Sequence, residues 1–89
     1  MARIPFEVEH VATITGRGVA VFARWLGPEQ FESLRDATLG GCPIEPWTDV
    51  PRSIGPDGKQ RLDLFGFVLR DPADRERLAP GQRVELVTP

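Results

Sequence analysis

The chain has little of what catalytic sites are usually built from. Its 89 residues include one cysteine, Cys42, and one histidine, His10. A single cysteine excludes an intramolecular disulfide and leaves a zinc site without its usual thiolate set. Cys42 reads as a small packed side chain rather than a reactive thiol. His10 has no serine or cysteine near it in sequence to activate, and reads as a structural or partly buried group. Asp71, Asp74 and Glu76 lack the regular oxygen spacing of a calcium loop. No catalytic, cofactor-binding or metal-ligating residue is assigned, and no enzymatic activity is expected.

Long apolar runs are missing too. No stretch approaches membrane-spanning length, so no membrane partner is expected. Met1-Ala2-Arg3-Ile4-Pro5 lacks the apolar core of a signal peptide. Together with the lone cysteine, these absences lead to the expectation of a reducing, cytoplasmic setting. Charge of one sign is not in excess either: 11 basic against 13 acidic residues give a formal net charge of −2. No global field draws the chain to nucleic acid, so any RNA contact would need a local basic patch.

What is present is strand chemistry. From Phe6 to Ile14 the even positions Phe6, Val8, Ala12 and Ile14 are apolar, while Glu7, Glu9 and Thr13 occupy odd ones. That is the period of a strand with one buried face. Gly16-Arg17-Gly18 then makes a tight connection that needs positive φ, and Val19 to Trp25 returns as a second strand. After Leu26-Gly27-Pro28, the stretch Glu29–Ala37 reads as a short helix with Phe31 and Leu34 on one face, sealing one end of a barrel. Pro43, Pro46, Pro51 and Pro56 argue against a long central strand in the middle, leaving a short, interrupted or bulged edge strand over 44–50. Gly55-Pro56-Asp57-Gly58 is a turn. Residues 60–70 form a further strand with apolar side chains on both faces: Leu62, Leu64, Gly66 and Val68 on one, and Phe65, Phe67 and Leu69 on the other. A helical turn over 73–78 and a closing strand over 82–87 follow. Short strands separated by turn chemistry predict an all-β fold, a small closed or nearly closed antiparallel barrel filling residues 1–89 as one domain.

Three segments in order resemble the second domain of elongation factor Tu, the translation-factor β-barrel family. They are Ile14-Thr15-Gly16-Arg17-Gly18-Val19-Ala20-Val21, Leu64-Phe65-Gly66-Phe67-Val68-Leu69-Arg70, and the run from Arg75 to Leu86 with Pro80-Gly81 before the closing strand. The resemblance covers most of the chain; the segment from Leu26 to Cys42 departs from it as an insertion. The GTPase domain of those factors, with its Gly-x-x-x-x-Gly-Lys-Ser/Thr loop, has no counterpart here, so no GTP binding is expected. The family's Glu-x-Phe-Arg pocket segment aligns with Asp49-Val50-Pro51-Arg52. Arg52 keeps the cation and Asp49 a shortened carboxylate, while Pro51 replaces the aromatic that would stack a terminal adenine.

These readings converge on a non-catalytic binding module in an accessory or adaptor role, with a protein partner. Its contact residues would be Arg17 at the hairpin tip, Trp47 in the proline-rich segment, Asp49, Arg52 and Phe67, with Phe65 beside it. The alternative is RNA binding of the tRNA- or ribosome-associated kind, with Arg17, Arg52, Lys59 and Arg61 on phosphates. A homodimer through the aromatic face or an unpaired strand edge stays open.

Overall fold

The computed structural model describes residues 2–16, 18–49 and 63–89, and the backbone alone at Asp49. Six strands form a closed antiparallel barrel: β1 (Ala2–Ile14), β2 (Gly18–Trp25), β3 (Thr38–Leu39), β4 (Cys42–Asp49), β5 (Leu64–Leu69) and β6 (Arg83–Thr88). The order around the ring is β1-β2-β5-β4-β3-β6, and β6 closes on β1 from Ala2↔Thr88 to Glu7↔Arg83. The expected closed all-β barrel is what forms. Among the described residues no helix is long and apolar enough to cross a membrane.

That order places β2 opposite β3, and β5 opposite β6. Each of these connections therefore crosses a mouth of the barrel. The chain leaving β2 at Trp25 crosses one mouth, called here the Trp25 end, and inserts Phe31 and Leu34 against the core. The chain leaving β5 crosses the other, the Gly16 end, through a short 3-10 helix (Pro72–Arg77) and inserts Leu78. Asp71 caps that helix, its carboxylate accepting from the Ala73 N–H at 3.0 Å, which satisfies a donor the helix start leaves open. Arg75 donates to the Thr13 hydroxyl and ties the helix to β1.

Phe31 and Leu34 thus seal an end as expected, but not from a helix: residues 26–37 are irregular. A nine-residue helix is marginal on propensity alone, because nucleation costs more than so few bonds return. Here the segment ends at Asp36, which holds a left-handed φ of 58°.

The alternation of β1 is also corrected. Val8 pairs with Ala23 but His10 with Phe22, so Glu9 is an extra residue, a β-bulge. The inward set is Ile4, Phe6 and Val8 before the bulge and Val11 after it. The parity switch turns His10 outward: it is exposed, its ring stacked on Phe22 at 6.0 Å, rather than structural in an apolar face. The bulge sits where β1 parts from β6, and the turn at Gly81 docks on Val8 through bonds of 2.7 and 2.9 Å.

β4 is longer than expected and is not an edge, since it lies between β3 and β5. Its prolines are accommodated without ladder donors. Pro43 serves as an acceptor, taking the Arg70 N–H at 3.1 Å, and Pro46 falls in a stretch where the β5 pairing is interrupted. Apolar residues on both faces of β5 are covered: Phe67 and Leu69 inside, and Leu64 and Val68 buried apart from the central cluster.

Candidate functional site

Trp47 is the large hydrophobic side chain that the described residues leave in solvent, at 54% exposure. Its position follows from the strand it sits on. Ile44 pairs with Leu69 and Thr48 with Phe67, so Glu45, Pro46 and Trp47 together stand opposite Val68 alone. Three residues against one push the chain out of the sheet surface, and Pro46 has no N–H with which to re-enter the ladder. An indole carried on such a protrusion offers large rigid area and one donor.

The other expected contact residues do not gather around it. Asp49 lies two residues on, its backbone paired with Gly66. Arg17, Arg52, Lys59 and Arg61 lie outside the described residues, as do Val50, Pro51 and the expected turn at 55–58. Gly16 and Gly18, which flank Arg17, have φ of 82° and 93°, the positive values the tight connection requires. They stand at the Gly16 end, whereas Asp49 and the start of β5 stand at the Trp25 end. The glycines flanking Arg17 and the backbone of Asp49 therefore stand at opposite ends of the barrel.

Phe67 is not a surface residue. It is fully buried in the core, with its ring 5.2 Å from Phe6 and nearly perpendicular to it. Two faces of β5 are apolar, and the sequence does not say which one lines the interior. The closed ring puts Phe65, Phe67 and Leu69 inside.

At the Trp25 end the structure assembles a group that sequence reasoning did not collect. Trp25, Gln30, Phe31 and Phe65 line an open pocket of about 340 Å³. Phe31 and Phe65 meet edge to face at 5.4 Å and 70°, so their rings form two walls of a corner. The Trp25 indole is fixed by its N–H, which donates to the Glu29 carbonyl at 2.7 Å. Its backbone N–H donates to the Asp63 carbonyl at 2.7 Å. All three rings are half-buried: they back onto the core and show part of their surface to the pocket. The signal in the sequence was Trp25 ending β2 and Phe65 opening β5, two strands that pair at their adjoining residues Ala23↔Phe65 and Arg24↔Leu64.

Cys42 is fully buried, its thiol 4.0 Å from the Gly40 carbonyl. Burial pushes its pKa up, Asp74 adds to the rise, and Arg77 opposes it. Inside the wall it cannot pair with His10 outside, so the two do not form a nucleophile and base. The thiolate is the reactive form, so a disulfide reagent at neutral pH is expected to leave Cys42 unmodified in the folded protein and to label it on unfolding in urea. Rapid labelling of the native chain, read by absorbance, would contradict that burial. Among the described residues no three His, Cys, Asp or Glu side chains stand close enough to hold a metal ion.

No family model, no curated protein and no solved structure matches this chain.

Proposed function

We propose that this barrel is a non-catalytic binding module that takes a protein partner, with Trp47 as the anchor. The observation that carries the reading is an indole held out by an irregular, proline-bearing strand, the large hydrophobic side chain that the described residues leave exposed. Tryptophan is enriched among the few residues that dominate interface energies, and an indole has only two side-chain torsions to fix, so ordering it costs little entropy. The resemblance of the Gly16 hairpin, the Gly66 strand and the closing strand to translation-factor barrels supports an accessory or adaptor role beside a translation component or an enzyme.

Capture from the host's lysate with tagged wild type and Trp47→Ala, each with and without nuclease, tests it. A partner protein retained by wild type after nuclease and lost with Trp47→Ala is the expected result. The variant should unfold within about 0.5 kcal/mol of wild type, as exposed substitutions do. Equal capture by both proteins would remove Trp47 from the contact. RNA retained in place of protein, with steep salt dependence, would instead support the basic residues Arg17, Arg52, Lys59 and Arg61 as a phosphate-binding set.

A further inference from the structure

We propose that β4 is the seam of a homodimer, in which two copies of this chain pair antiparallel, Thr48 against Thr48, so that one barrel wall continues into the other. The inference goes beyond the Trp47 reading and does not depend on it, since main-chain bonds of the neighbouring residue carry it. Its root is the shortness of β3. That strand has two residues and pairs with Pro43 and Cys42 of β4. One further bond, from the Ile44 N–H to the Ala37 carbonyl at 3.3 Å, prolongs the contact. There the chain leaves the wall: the Ala37 N–H bonds back to the Leu34 carbonyl at 3.1 Å, and the Leu34 side chain enters the core. Among the described residues no strand lies beside residues 45–49 on that side, although β4 runs on to Asp49.

Strand residues present their main chain to alternate edges, which fixes what is left open. Arg70 faces β4, its N–H bonded to the Pro43 carbonyl at 3.1 Å, so Gly66, four residues earlier, faces β4 too. Gly66 pairs with Asp49. Asp49 thus turns its main chain to β5, and Thr48 turns its own the other way, where no described residue bonds it. Thr48 is only half-buried, beside the exposed Pro46 and Trp47. One free N–H and one free C=O on the same residue select the occupant. A flexible peptide would have to order several residues to make two hydrogen bonds, which costs more than those bonds return. A second copy brings the same edge already ordered, and a twofold axis through the Thr48 pair makes both bonds at once. A shift of two residues would oppose Thr48 to Pro46, which has no N–H to give, and a shift of one would turn the faces over. In the Thr48 register two threonines meet across the seam and Trp47 stands opposite Asp49, so no like charges face each other there.

Amide hydrogen exchange, read residue by residue at rising protein concentration, tests the seam in the wild-type chain. The Thr48 amide is expected to exchange fast in dilute solution and to slow by about tenfold or more as concentration rises, in step with a mass that climbs from monomer toward dimer in sedimentation equilibrium. Thr48→Pro removes the donor without touching the β5 ladder and should weaken association by about tenfold or more, whereas Thr48→Val keeps the N–H and should associate as wild type does. Trp47→Ala is expected to keep the concentration-dependent protection of Thr48 whether or not it still captures a partner from lysate, so the two readings fail separately. A monomer at every concentration, a Thr48 amide already protected in dilute solution, or equal association by Thr48→Pro and wild type would overturn the proposal. If Thr48→Pro loses its spectral dispersion, exchange of the wild-type Thr48 amide decides.

Discussion

Phe67→Ala is expected to lower the unfolding free energy by about 3–5 kcal/mol, the usual cost of emptying a buried phenylalanine site. Chains of this size are stable by only about 4–13 kcal/mol, so the variant would lose a large part of its stability. The residue is fully buried and its ring touches those of Phe6, Phe31 and Phe65, with centroids 5.2, 6.2 and 6.4 Å away. Removing it deletes transfer energy and three ring contacts at once, and the surrounding strands, locked in a closed ring, cannot collapse into the space. Urea unfolding followed by circular dichroism checks it, as a lower midpoint with an unchanged slope. A loss below about 1 kcal/mol would mean that the ring is not packed as described and would return Phe67 to the surface.

The second large effect belongs to the β3–β4 turn. Gly40 and Gly41 both hold left-handed φ, 59° and 84°, as a two-residue hairpin turn of the primed kind requires. Their surroundings differ. A Cβ on Gly40 would meet Val84 Cγ1 at 3.0 Å and Leu78 Cδ2 at 3.1 Å, whereas one on Gly41 would find only Arg77 Nη2 at 3.6 Å. Gly41→Ala is thus expected to cost about 1–2 kcal/mol, the conformational penalty alone. Gly40→Ala adds overpacking against two core side chains, for a total of about 2–4 kcal/mol. Thermal unfolding of the pair separates the two contributions: equal losses would show that Leu78 and Val84 yield freely and that the plug at the Gly16 end is loosely seated.

These two positions mark what could be read before the structure. Turn chemistry at Gly16-Arg17-Gly18, the closing strand after Pro80-Gly81 and the barrel as a class were legible because period and turn residues are local signals. The inside of β5 was not. Both its faces are apolar, and only closure of the ring decides between Phe67 and Val68. The bulge at Glu9 was hidden for a similar reason: Ala12 and Ile14 continue the even-numbered apolar pattern of Phe6 and Val8, so the sequence looks unbroken where the register shifts. The helix expected over 29–37 had the right contact residues and the wrong backbone, because two apolar side chains three apart satisfy a mouth plug as well as a helix face. Trp47 was legible as an exposed aromatic from its prolines. The pocket at Trp25 was not, since its members come from β2, a crossing loop and β5, and nothing in sequence spacing brings them together.

Ring closure joins the first strand to the last, Ala2 against Thr88. Until β6 arrives, β1 has one bare edge and β3 another, and the chain is an open, sticky sheet rather than a vessel. During synthesis every residue from β1 through β6 must emerge before that gap can shut. Pairing at such sequence distance is slow, and an unclosed sheet is the species most prone to misassociate. The barrel, a closed ring once made, is therefore most vulnerable in the interval before its last six-residue strand docks.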